Sequence, residues 1–249
     1  RNAEGPEPTE VGRELLEAAD EIEKVIERCG QRIDALKSGA TGSVTLGVVS
    51  TGKYFAPSIV ARFRQLHPEI RVQLAIGNRT EIIKGLERRE YDLLIMGRPP
   101  AHVAVEREVL GDHPHVLVAA PDHRLVGDPD ILPEDLLGET FLAREEGSGT
   151  RLLMTRFLDR IGGGRTFNMV EMGTNETIKQ AVMAGLGIAI ISAHTCYSEV
   201  AEGKLALLQA EGLPLGRQWF LIYRSDRPLT RAADVLHHFI IDHKGDILP

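Results

Sequence analysis

Beyond residue 43 the chain alternates short apolar runs with amphipathic stretches, and that rhythm restricts its possible folds more than any other feature. Residues 44–49, 71–76 and 93–96 read as strands, and between them 54–66 and 80–90 carry apolar residues at helical spacing, with Pro57 in the first turn of one and Thr80 as a plausible N-cap of the other. A β-α-β-α-β order calls for a mostly parallel sheet with helices on both faces, because parallel neighbours require a crossover. Residues 115–120 make a further strand, and a turn-rich loop follows over 121–133. The rhythm then resumes with strands at 140–143, 166–172 and 188–191 and helices at 150–161, 176–184 and 194–202. A strand at 218–224 and a helix at 229–243 end the chain. The expected fold class is α/β, with two Rossmann-like lobes. The late strand suggests a chain that returns to its first lobe, giving lobe I as 43–115 plus 218–249 and lobe II as 116–217.

Ahead of the lobes, Leu15, Ala18, Ile22, Val25 and Cys29 follow one another at 3-4-3-4 spacing, and Ile33 and Leu36 continue the stripe. A helix of about 26 residues is about 39 Å long, more than a small lobe covers end to end. Such a stripe usually buries against a partner helix, so these five residues are expected to mediate dimerisation or packing on a neighbouring module. Residues 1–9 are polar and proline-rich, an expected frayed entry, and 38–43 read as a hinge, so 1–42 forms a unit of its own.

A length of 249 residues is enough for two cores. The net charge of −7 argues against a broad nucleic-acid-binding surface, although local arginines can still hold a small anion. Cys29 and Cys196 fit no metal or redox spacing and are expected to be small core or interface side chains. The longest apolar run, 185–193, suits a buried strand and is too short to span a membrane. With no apolar signal core at the N-terminus, a cytoplasmic protein without membrane contact is expected.

In open α/β sheets ligands sit beyond the carboxyl ends of the strands, where helix N-termini also point. The junctions there are Ser50-Thr51-Gly52, Gly77-Asn78-Arg79-Thr80, Gly97-Arg98-Pro99-Pro100, residues 145–151, Gly173-Thr174-Asn175-Glu176-Thr177 and Ser192-Ala193-His194-Thr195. All six are rich in hydroxyl, amide, glycine or arginine, the groups that hold a small anion. The candidate ligand residues are therefore Ser50, Thr51, Asn78, Arg79, Thr80, Arg98, Ser148, Thr150, Arg151, Asn175 and Thr177. Each has a plainer reading. Ser148 and Asn175 also suit helix caps, and Arg79 and Arg98 could brace the lobes. Arg151 opposes the dipole of its helix, which a nearby anion would relieve.

Catalytic and metal readings fare poorly. Glu146-Gly147-Ser148-Gly149-Thr150 is not a nucleophile elbow, and Gly162-Gly163-Gly164 follows a helix as a C-terminal cap does. His113-Pro114-His115 has no recognisable third ligand and reads as a solvated turn, and His237-His238 reads as surface. No enzyme activity, metal or cofactor is expected.

Taken in order, several runs resemble the LysR-type transcriptional regulators. Residues 9–16 are similar to the end of that family's winged helix and the start of its linker helix, and Gly42-Ser43-Val44-Thr45-Leu46-Gly47 to the start of its effector domain. Phe55-Ala56-Pro57 through Phe63, His67-Pro68-Glu69-Ile70, Tyr91-Asp92-Leu93-Leu94-Ile95 and the stretch 178–192, containing Ala184-Gly185-Leu186-Gly187-Ile188-Ala189, match in turn. Within the family, residues 50–57, Gly77-Asn78-Arg79 and Met96-Gly97-Arg98-Pro99-Pro100 are similar to the CbbR group, which regulates Calvin-cycle carbon-fixation operons. The resemblance implies a type 2-like periplasmic-binding-protein fold behind a linker helix, and assembly as a dimer or tetramer. It implies ligands such as ribulose bisphosphate, phosphoenolpyruvate, NADPH or ATP, all anionic phosphates. Family members contact DNA through an N-terminal winged helix-turn-helix, and this chain begins after it, so DNA contact is expected only through that head. A transport-type solute-binding protein of the same fold is the competing class, though it would have no use for the stripe along residues 11–36.

Overall fold

A computed structural model describes residues 8–38 and 41–248, without the side chains of residues 32 and 34–38. The side chain of Leu36 in the stripe, Gly39 and Ala40 of the expected hinge, and the first seven residues of the entry segment therefore lie outside what is described.

Helix α1 (Glu10–Ser38) is continuous over 29 residues. It meets the body through Lys24, 3.6 Å from Glu90, and through Arg28, whose guanidinium donates to the carbonyl of Arg89. Its stripe stays open: Leu15, Ile22 and Val25 are 66%, 60% and 56% exposed. Cys29 is exposed as well, whereas Cys196 is buried and its thiol is pushed up to about 12, chiefly by burial.

In the first lobe, β1 (Gly42–Val49) pairs in parallel with β2 (Ile70–Gly77) and β3 (Leu93–Met96). β10 (Gln218–Arg224) lies antiparallel to β3 and to β4 (Val105–Asp112), giving the order β2-β1-β3-β10-β4. Helices α2 (Ala56–Leu66), α3 (Arg79–Glu87) and α8 (Arg231–Asp242) put Phe63, Leu86 and Leu236 into its core beside fully buried Leu94, Ile95 and Trp219. The sheet is thus more mixed than the alternation suggests. β10 runs against its neighbours because it re-enters from the other lobe, and β4 is a mostly exposed edge strand without the apolar alternation that marks a half-buried one.

The second lobe is built alike. β6 (Thr140–Ala143) pairs in parallel with β7 (Asn168–Glu171), and β5 (His115–Ala119) pairs antiparallel with β8 (Ala189–Ser192) and β9 (Ala206–Leu208). The two pieces join where Ile188 exchanges backbone hydrogen bonds with Leu142 (2.8 Å) and Thr140 (2.9 Å). Besides the single turn α4 (Pro133–Leu137), this lobe carries α5 (Gly149–Gly162), α6 (Asn175–Met183) and α7 (Ala193–Ala201), and α9 (Lys244–Ile247) follows α8 back on the first lobe. α5 ends as its glycines suggest, with Gly163 left-handed at φ 54°.

The chain crosses between lobes at two adjacent segments that pair with each other. His113 N–H donates to the Arg217 carbonyl (2.7 Å), and His115 and Leu215 exchange hydrogen bonds of 3.0 and 2.8 Å. Here the expectation of a solvated turn is wrong: His113 and His115 are 5% and 1% exposed, because the returning segment and Trp219 cover them. The His113 ring stacks on Trp219 at 3.7 Å and 12°, and the Trp219 indole N–H donates to His194 Nδ1 at 3.1 Å. His237 is also buried, 2.8 Å from Glu108, while His238 is on the open side of α8.

Burial pushes His113 down to about 2, helped by the neighbouring His115, His194 and Arg217, and pushes His115 down to about 4. Histidines in the unfolded chain titrate near 6.5. The stability these neutral rings contribute is therefore complete above about pH 6.5 and declines as the pH falls below it, by up to roughly 1.4 kcal/mol per pH unit for each ring. Denaturant titrations between pH 7 and pH 5 should show this slope, and His113→Phe, which keeps a ring on Trp219, should flatten it. An identical slope in the variant would show that His113 is not one of its sources. A second expectation concerns Gly187. A Cβ there would lie 2.3 Å from the Thr140 carbonyl oxygen, at the join of the second sheet. Gly187→Ala should lower unfolding stability by about 1–3 kcal/mol, the range for an overpacked core, as measured by chemical denaturation.

Candidate functional site

The two lobes face each other across a cavity of about 560 Å³, within the size range of small-ligand sites. Its first-lobe wall comes from the junctions after β1, β2 and β3: Ser50 and Thr51, then Arg79, then Arg98 with Pro99 and Pro100. The second-lobe wall is the start of α5, with Ser148, Gly149 and Thr150, and one further face of that helix carrying Leu152, Leu153 and Arg156. The crossing segments close the inner end with His113, His115 and Arg217.

The charge pattern of these walls is one-sided. Arg79, Arg98, Arg156 and Arg217 all line the cavity, and no Asp or Glu does. Among the described residues none of the four has a carboxylate within ion-pair distance. His102 at the rim, by contrast, sits 2.6 Å from Glu87. Arg79 donates to the Arg98 carbonyl at 2.6 Å. Burial, and then the charges of Arg98 and Arg156, push the Arg79 guanidinium below its ordinary value. A group so placed gains from any anion that enters, since an opposite charge offsets both the desolvation and the repulsion. Ser148 occupies the N-cap position of the 14-residue α5 without a side-chain capping bond, so its hydroxyl is not committed to the helix. The helix N-terminus adds free N–H groups and a positive dipole end to the same wall.

Around the cavity the lobes also touch directly. Thr80 donates from its backbone N–H and its hydroxyl to the Gly147 carbonyl at 3.2 and 3.3 Å. Gly147 has φ 85°, and a Cβ there would come within 2.9 Å of Thr80 Oγ1, so glycine is required on both counts. Arg144, buried and paired with Glu145 at 2.7 Å, donates across the lobes to Ser50 Oγ at 3.1 Å. Next to this contact, Lys53 and Tyr54 both reach the carboxylate of Glu176.

The structure thus brings Ser50, Thr51, Arg79, Arg98, Ser148 and Thr150 together and sets the other five aside. Asn78 is the true cap of α3, in a capping box with Glu81 (3.0 and 2.7 Å), and this displaces Thr80 from the cap to the inter-lobe contact. Arg151 finds its anion in Glu171 and also donates to the Arg144 carbonyl at 3.1 Å. Asn175 accepts from Arg144, and Thr177 shares a 3.0 Å hydrogen bond with Thr174, whose hydroxyl caps α6. Sequence reasoning missed Arg156, Arg217, Arg144 and the two buried histidines. Arg156 had a signal: Gly149, Leu152, Leu153 and Arg156 stand at helical spacing on one face. Arg217 had none, because only the return crossing brings it to the cleft.

Residues 37–245 match the family model described as LysR substrate binding domain. The HTH-type transcriptional regulator CbbR of Cereibacter sphaeroides is 49% identical over 242 residues, 97% of this chain and 78% of the relative. The RuBisCO operon transcriptional regulator of Allochromatium vinosum is 40% identical over 233 residues, 94% of this chain and 77% of the relative. Among solved structures, the CcmR regulatory domain of Synechocystis PCC6803 in complex with 2-PG has a TM-score of 0.76 at 31% identity, covering 82% of this chain and 98% of that one. Corynebacterium glutamicum OxyR, at 20% identity and a TM-score of 0.68, covers 95% of this chain and 76% of its own and shares the fold. The relatives are named regulators, not enzymes or transport proteins, as the sequence resemblance implied. The chain belongs to the LysR substrate-binding domain family and is the effector-binding part of a LysR-type transcriptional regulator of the CbbR kind.

Proposed function

We propose that the cleft senses a small phosphorylated metabolite and that its occupancy controls transcription of carbon-fixation genes. The observation that carries this reading is the wall of four arginines around a cavity with no carboxylate, in a chain whose net charge is −7. An acidic protein does not concentrate unpaired cations in one cleft for the sake of stability, since their mutual repulsion opposes folding. The hydroxyls of Ser50, Thr51, Ser148 and Thr150 and the N-terminus of α5 supply the directional bonds that a phosphate accepts. Two names support the reading: CcmR, whose regulatory domain was solved with 2-PG, and the RuBisCO operon regulator.

A ligand touching both walls binds best where the lobes hold those walls in register, and it shifts the population toward that arrangement by its differential affinity. The shift is read out through α1. Leu15, Ala18, Ile22, Val25 and Cys29 are all exposed, and a second copy of this chain would cover them in a dimer or tetramer. DNA contact belongs to a helix-turn-helix of the kind the relatives' names describe.

Calorimetry with ribulose bisphosphate, phosphoenolpyruvate, NADPH and ATP tests the proposal. At least one should bind, more weakly as salt rises, and Arg98→Ala or Arg156→Ala should weaken it about 10- to 100-fold, the loss expected for a hydrogen bond to a charged group. No binding by any of the four to folded protein, or unchanged affinity in both variants, would overturn it.

A further inference from the structure

Helix α3 touches both the cleft and the linker helix. Its first turn belongs to the cleft: Arg79 lines the cavity, and Thr80 holds the Gly147 carbonyl of the other lobe with hydrogen bonds of 3.2 and 3.3 Å. Its far end carries α1. Arg28 of α1 donates to the Arg89 carbonyl, and Lys24 lies 3.6 Å from Glu90. A helix of nine residues is about 13 Å long, so one short element joins the two places.

The far end moves with the helix. Glu90 N–H donates to the Gly85 carbonyl at 2.9 Å and Arg89 N–H to the Leu86 carbonyl at 3.2 Å, with Arg89 left-handed at φ 61°. These bonds tie Arg89 and Glu90 to the last turn, so a displacement of α3 along its axis carries both. Ile82 and Leu86 hold the helix on the core, but Gly85 rests directly against the Tyr91 ring, with no room for a Cβ. A glycine presents no side-chain ridge to interlock, and it opposes sliding less than a packed side chain does. The joint to α1 is polar and open to solvent, the Lys24 and Glu90 side chains being 45% and 23% exposed. Exposed ion pairs are weak, so a helix shift of about 1–2 Å is enough to break it.

Charge sets the direction. Without an anion, Arg79 is repelled by Arg98 and Arg156. An anion among these guanidiniums draws Arg79 inward and the start of α3 with it, which takes Arg89 and Glu90 away from α1. We infer that α3 couples the cleft to the linker helix: its first turn follows the bound anion, and its last turn releases α1 when the cleft fills. This inference rests on the anion reading of the cleft and extends it to the control of α1.

The test uses inorganic phosphate as the probe and reads α1 by hydrogen exchange. In the unmodified protein, saturating phosphate should speed exchange of the backbone amides in residues 20–30 at least about twofold. Coupling is reciprocal, so the double variant Lys24→Ala/Arg28→Ala, which cuts the joint outside the cavity, should bind phosphate about threefold more tightly by calorimetry. Loss of two positive charges would by itself weaken an anion's binding, so the sign separates coupling from plain electrostatics. In that variant phosphate should no longer change exchange in residues 20–30. Phosphate binding without faster exchange in α1, or equal or weaker binding by the variant, would overturn the coupling and leave the anion reading standing. No phosphate binding to the folded, unmodified protein would overturn the anion reading, and the coupling with it.

Discussion

The chain passes between its lobes twice, and the two passing segments are hydrogen-bonded to each other around His113, His115, Leu215 and Arg217. Much else depends on this paired crossing. It makes β10 antiparallel in the first sheet and β5 antiparallel in the second. It also leaves the carboxyl ends of β1, β3 and β6 on the same side of the crossing, so that junctions distant in sequence become facing walls. A single crossing would tether the lobes without fixing which faces oppose. A pair bonded side by side resists twist between the lobes more than a single strand would.

The cleft that results is electrostatically unbalanced. Elsewhere in this protein arginines have partners: Arg144 with Glu145, Arg151 with Glu171, Arg224 with Asp226. Those pairs hold elements together. The arginines lining the cavity have no such partners, and burial together with their mutual repulsion depresses the Arg79 guanidinium. Direct contacts between the lobes stand beside this cluster, in Thr80 with Gly147, Arg144 with Ser50, and Lys53 and Tyr54 with Glu176. The opposition between contacts that join the lobes and like charges that strain them gives an anion leverage over their arrangement.

How much of this was legible in the sequence depended on whether the signal was local. Strand and helix alternation is local, and it gave most elements of both lobes, though not β4, β9 or the short α4 and α9. β4 was invisible because an exposed edge strand carries no apolar period, and the sense of β10 was hidden because direction is a property of the crossing. The junction rule found six wall residues but could not separate ligand groups from caps, since Asn78 and Thr80 suit either role and only the capping box with Glu81 decides. His113 and His115 misled for the opposite reason. Two histidines flanking a proline look like a turn in water, and their burial is the work of Trp219 and Arg217, which lie far along the chain.

The central claim is that an anion is seated between the lobes, on arginines that have no carboxylate partner among the described residues. Crystals of the protein equilibrated with tungstate, a heavy tetrahedral stand-in for phosphate, test it by anomalous diffraction. The account predicts the dominant peak in the cleft, within hydrogen-bonding reach of Arg79, Arg98 or Arg156 and of the N–H groups that begin α5. A dominant peak elsewhere, with none in the cleft at saturating tungstate, would contradict it.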